Sequence, residues 1–128
     1  MGDHPNVEVV RRLLEAFNTG DLESGRELFA DDVVWHTIGG PTLEGVAALQ
    51  ESMTGDGRDD FSITADLHDI VGNDEHVVAL VEAHAVAGDQ TFDYRTAEIL
   101  HVSDGKITER WAFSDDTQRI ADWFAQFM

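Results

Sequence analysis

Three ionisable residues stand where acid-base chemistry could be done. His36 ends an apolar run, Glu98 interrupts an alternating apolar face, and Asp116 opens the last amphipathic stretch. Histidine changes charge between about pH 5 and 8, so His36 is suited to exchange a proton with a carboxylate such as Asp116. A carboxylate on an apolar face must be protonated or partnered, because an unpaired buried charge shifts its ionisation. Glu98 therefore reads either as one half of a pair, with Arg110 or another donor, or as a functional acid or base. In the functional reading a neutral Glu98 donates to a developing enolate while His36 and Asp116 move the proton. The substrate would be a small, largely apolar carbonyl compound, with no cofactor. Each residue also has a plain role open to it: a partnered histidine, a paired glutamate, an N-cap aspartate.

The elements that position these groups follow from spacing. Pro5 and Asn6 begin a helix whose Val10, Leu13, Leu14 and Phe17 share one face, and Gly20 ends it. Asp21 can cap a second helix carrying Leu22, Leu28 and Phe29, terminated at Asp31-Asp32 before the strand Val33, Val34, Trp35. Gly39 to Thr42 signals a turn, and Val46, Leu49 and Met53 a short helix closed by Gly55 and Gly57. Four long strands follow, alternating from Phe61, then His76 to Ala87, Thr91 to Val102 and Ile107 to Phe113, with Gly88-Asp89 and Asp104-Gly105 as hairpin signals. Ile120, Trp123, Phe124 and Phe127 make a last amphipathic helix. Helices first and an antiparallel meander afterwards imply an α+β domain with one core between helices and sheet.

Register can be counted. If Gly88-Asp89 is a two-residue turn, paired residue numbers sum to 177. Glu82 then faces Arg95 and His84 faces Asp93 on one side of the sheet, which is solvated or forms an interface. The other side carries Val77, Ala79, Val81, Ala83 and Ala85 against Phe92, Tyr94, Thr96, Glu98 and Leu100. Alanines beside aromatics leave room for a pocket, which Phe17, Trp35, Thr37 and Tyr94 would line. Two turn residues in the last hairpin put Trp111 beside Glu98, and a three-residue loop with a bulge puts Arg110 there.

The 128 residues fit one domain, spanning 1–128. There is no cysteine, no long apolar run and no basic-then-apolar N-terminus, so the expected setting is the cytoplasm, without membrane or disulfides. The net charge of −18 repels phosphate backbones and anionic membranes over a Debye length of about 8 Å. Nucleic acid is therefore not an expected partner. His4, His68, His76, His84 and His101 show no ligand spacing along the chain, and no metal is expected.

The segment LEAFNTGDLESGRELFADDVVWH, the W-H-T-I-G-G turn and D-G-K-I-T-E-R-W-A-F followed by D-D together resemble the SnoaL-like family. That family belongs to the nuclear transport factor 2-like superfamily, with ketosteroid isomerase and polyketide cyclases, and the resemblance runs from about Val7 to Phe127. It implies a cone-shaped α+β barrel, a curved antiparallel sheet wrapped around helices, with a deep apolar pocket. It also implies a homodimer formed through the outer sheet face. Ketosteroid isomerase's proton-shuttling aspartate falls at about Thr37, its oxyanion tyrosine at Leu13 and its protonated aspartate at Glu98. Many relatives keep a histidine at the position of His36, and cyclases use an aspartate matched by Asp116 or Asp115. The resemblance also makes Arg110 face the pocket. Non-catalytic binding of a small hydrophobic ligand and a homodimeric interaction module are the alternatives to catalysis.

Overall fold

The computed structural model describes residues 4–38, 40–54 and 61–126. Helix α1 runs Pro5–Thr19: His4 caps it through its ring nitrogen, Pro5 sits in the first turn, and Gly20 closes it at φ 73°. Its buried face is Val7, Val9, Val10, Leu13 and Ala16, whereas Phe17 lies exposed at the helix end. Helix α2 is the single short turn Leu22–Arg26, capped by Asp21. The expected continuation through Phe29 does not occur. Phe29 instead opens strand β1, Phe29–His36, because Ile107 pairs with it and donates its N–H to the Leu28 carbonyl. A shift of register between Phe29 and Val34 leaves Asp31 and Asp32 exposed within the strand.

Strand β2, Thr42–Glu44, was not signalled by the sequence, and helix α3 follows at Val46–Thr54. The expected closing glycines, Gly55 and Gly57, lie outside the described residues, as does Phe127. Strands β3 (Phe61–Gly72), β4 (His76–Ala87), β5 (Gln90–Ser103) and β6 (Lys106–Phe113) precede helix α4, Thr117–Ala125.

The six strands form one curved, open sheet in the order β2-β1-β6-β5-β4-β3. The α+β class stands, with two differences: the sheet is not closed into a barrel, and β1 runs parallel to β6. The β4–β5 pairing keeps the sum of 177 throughout, from His76↔His101 to Ala87↔Gln90. In the last hairpin Asp104 and Gly105 both have positive φ, 52° and 77°, as a two-residue turn with the strand's own twist requires. An irregularity between His101 and Val102 moves the register by one, so Glu98 pairs with Ala112 and Leu100 with Arg110. Neither expected partner of Glu98 lies directly opposite it.

The helices cover the concave face. Among the described residues its lining falls into two apolar clusters. The larger joins α1 and α3 to Phe29, Val33, Val77, Val81, Leu100 and Ile107, and the smaller joins α4 to Ala85, Ala87 and Phe92. Between them on β5 lie Thr96 and Glu98, with Arg110 beside them on β6, and these polar groups interrupt the apolar surface.

Candidate functional site

Strand alternation decides which side chains enter this polar layer, since neighbours in a strand point to opposite faces. On β5 the inward residues are Phe92, Tyr94, Thr96, Glu98 and Leu100. On β6, Arg110 points inward because it pairs with Leu100 and Trp35.

Arg110 donates through Nε to Glu98 Oε1 at 3.1 Å, and its Nη2 lies 3.1 Å from the same oxygen. Its Nη1 donates to the His36 carbonyl at 3.0 Å, and its guanidinium lies 4.4 Å from the centre of the Trp35 ring. Thr96 Oγ1 donates to Glu98 Oε2 at 3.1 Å. Glu98 thus accepts from both partners, one at each carboxyl oxygen. Of the five N–H groups of a guanidinium, one on Nε and one on Nη1 are committed to hydrogen bonds here, and Nη2 adds an ion-pair contact. Solvent reaches the pair: the Glu98 side chain is 17% exposed and that of Arg110 9%. Thr96, buried and donating to Glu98, is a member of the layer that sequence reasoning passed over. Its place between Tyr94 and Glu98 on one strand face was the available signal.

Tyr94 borders the layer, its ring set against Phe92 and Phe124 at 5.5 and 5.9 Å between centroids. Burial first, then the Glu98 charge, pushes its hydroxyl up to about 12 from the ordinary 10.0, with Arg110 opposing. It is held protonated, hence as a donor, across the usual pH range. Because the folded value is the raised one, the stability Tyr94 contributes is complete below pH 10 and is lost as pH rises towards 12. Tyr94 is the only tyrosine. Alkaline titration of tyrosinate absorbance should therefore show one late transition in the native protein and an ordinary one in denaturant. The steep alkaline loss of stability should be absent from Tyr94→Phe, and an ordinary native transition would refute the burial argument.

The other expected site residues disperse. His36 is on the convex face, where Nε2 meets Glu109 Oε2 at 2.8 Å, Nδ1 meets Thr42 Oγ1 at 3.1 Å, and Trp111 stacks on its ring at 5.3 Å. Trp35 points inward, so His36 beside it cannot. Trp111 is outward by the same alternation, against the simple two-residue register. Thr37 follows the strand and accepts the Gly40 N–H through its carbonyl at 3.2 Å. Asp116 is the N-cap of α4, accepting from the Arg119 N–H at 3.0 Å. It belongs to an open groove of about 480 Å³ along α4 with Phe92 and Trp123. A second groove, of about 360 Å³, lies between α1 and β3 near Asn18 and Ala65. Neither groove contains Glu98 or Arg110. Among the described residues no group of three or more metal-binding side chains is gathered, and no helix is long and apolar enough to cross a membrane.

Residues 10–110 match the SnoaL-like domain. An uncharacterised protein of Mycobacterium tuberculosis (strain H37Rv) is 30% identical over 131 residues, covering 98% of this chain and all of the relative. The solved structure of a candidate polyketide cyclase from Xanthomonas campestris pv. campestris superposes with a TM-score of 0.76 at 26% identity, covering 95% and 96% of the two chains. An epoxide hydrolase from M. tuberculosis, described as LEH-like, gives a TM-score of 0.76 at 20% identity over 94% and 87%, a likeness of fold. With the helix-break-helix opening, the curved sheet and the match across most of its length, this chain belongs to the SnoaL-like family.

Proposed function

We propose that the concave face binds a small, largely apolar compound bearing a carbonyl group. In this reading Arg110 and Tyr94 donate to its oxygen, and Glu98 accepts a proton from it. The observation that carries the reading is the Thr96–Glu98–Arg110 layer between two apolar clusters. A buried ion pair is weak as a stabilising device compared with apolar packing, so its place on an otherwise apolar surface favours a use in recognition or catalysis. The role of Glu98 is then the reverse of the neutral donor first expected, because Arg110 and Thr96 already donate to it. His36 and Asp116 take no part.

The test is a thermal-shift screen of small ketones, cyclic diketones and polyketide fragments on the wild type and Glu98→Gln. A ligand at about a hundred times its dissociation constant stabilises the folded protein by about 2.7 kcal/mol. A shift in the wild type that is lost in Glu98→Gln is expected. Where the same compound is turned over, the variant should be slower by about 10²- to 10⁴-fold. Equal shifts in both proteins would remove Glu98 from the site, and shifts without turnover would reduce the function to binding.

Self-association through the convex face is a second proposal. The adjoining rows Val71, Val78, Ile99, Trp111 and Leu80, Ala97, Phe113 lie there, with Val71, Leu80 and Phe113 exposed. Such an apolar patch suits a second copy of the chain. Sedimentation should give a homodimer at micromolar concentration, and a monomer would dismiss the proposal.

A further inference from the structure

We propose that His76 and His101 form a two-imidazole clamp for a divalent transition-metal ion, such as Cu²⁺, Ni²⁺ or Zn²⁺, on the convex face. The β4–β5 register sets the two residues directly opposite each other, and their rings meet with centroids 4.5 Å apart at 69°. Side chains so opposed have Cβ atoms about 4.5–5.5 Å apart, so rotation about the side-chain bonds can aim one nitrogen of each ring at a shared ion.

The state of the ring nitrogens separates this pair from three of the other four histidines, and the fourth, His68, lies exposed at the β3 irregularity with no residue paired opposite it. The rings of His4, His36 and His84 are each joined to a carboxylate, of Asp74, Glu109 and Asp93 respectively. Among the described residues the rings of His76 and His101 meet aromatic neighbours and no hydrogen-bonding partner, and both are half-buried. Their donor atoms are therefore available. Neutral imidazole favours these metals, whereas the many surface carboxylates favour Mg²⁺ and Ca²⁺. Glu109 lies opposite His101 on β6 and is the nearest carboxylate in the row, but its side chain is held by His36. Water would complete the shell of the two protein ligands, and a chain of net charge −18 concentrates cations.

The protein carries its own reporter, since the Trp111 ring sits 4.8 Å from that of His101. Cu²⁺ titrated in excess Mg²⁺ should quench, with one ion per chain, the part of the tryptophan fluorescence that Trp111→Phe removes. His76→Gln and His101→Gln should each weaken binding about tenfold or more, equivalent to about 1.4 kcal/mol, while His84→Gln should leave it unchanged. Acid should release the ion, because only neutral imidazole coordinates. Unchanged affinity in both variants, displacement by Mg²⁺, or no binding at millimolar Cu²⁺ would overturn the proposal. A readout on the unmodified protein guards against a variant that fails to fold: traces of Cu²⁺ should broaden the ring-proton resonances of His76 and His101 first. Broadening that begins at His4 or His84 would overturn it too.

Discussion

Arg110→Met should cost about 3–5 kcal/mol of folding stability, towards the lower figure because the Glu98 side chain keeps 17% exposure. The substitution removes both guanidinium contacts to Glu98 Oε1, the donor to the His36 carbonyl and the cation over Trp35. Thr96 alone would then face a carboxylate set between two apolar clusters. The cost is mainly that of stranding a charge, not the net value of the pair, so Arg110→Met with Glu98→Gln should recover most of it. Arg110→Lys should fall between, since an ammonium cannot span Oε1 and the His36 carbonyl as a planar fork does. For a domain of ordinary stability, about 5–15 kcal/mol, the single variant loses a large share, readable as a fall in the urea midpoint at unchanged slope. A loss under about 1 kcal/mol, or a double variant no better than the single, would show that the layer is not energetically coupled.

Asn18→Asp should be the other severe change, and worse than Asn18→Ala. Strand β3 is an edge of the sheet, and the Asn18 amide closes part of that edge as a neighbouring strand would. Its Nδ2 donates to the Ala65 carbonyl at 2.8 Å and its Oδ1 accepts the Ala65 N–H at 2.8 Å. Alanine leaves both backbone groups of a buried residue without that partner, at about 1–3 kcal/mol each, partly offset by water in the adjoining groove. Aspartate keeps the acceptor but turns a second oxygen towards the Ala65 carbonyl, adding repulsion. Chemical denaturation gives the order, and amide exchange at Ala65 gives the location. An aspartate variant as stable as the alanine one would refute the strand-mimic reading. The uncovered edge should also make both variants more prone to aggregate.

Much of the architecture was legible because it rests on local rules. Gly20, Asp21, Gly88-Asp89 and Asp104-Gly105 are turn and cap residues whose conformations are set within a few positions. Once the first hairpin turn is fixed, a period of two carries the β4–β5 register along its whole length. That same count contains the His76–His101 pair, invisible to any ligand spacing along the chain. It also placed Glu98 on the inner face.

What the sequence misplaced or left open depended on contacts between distant segments. The second helix was cut short because Ile107 draws Phe29 into a strand, and β2 exists only because β1 offers it a partner. The irregularity between His101 and Val102 chose Arg110 over Trp111 for the inner face, which no turn rule could do. Trp35 and His36 could not both point inward, and only the parallel pairing of Trp35 with Arg110 settled which one does. By itself the sequence determined the class of fold, the long hairpin and the inward carboxylate, because these follow from turn chemistry and alternation. The tertiary structure decided which cation meets Glu98 and sent His36 to the opposite face, since a one-residue change of register reverses every side chain in a strand.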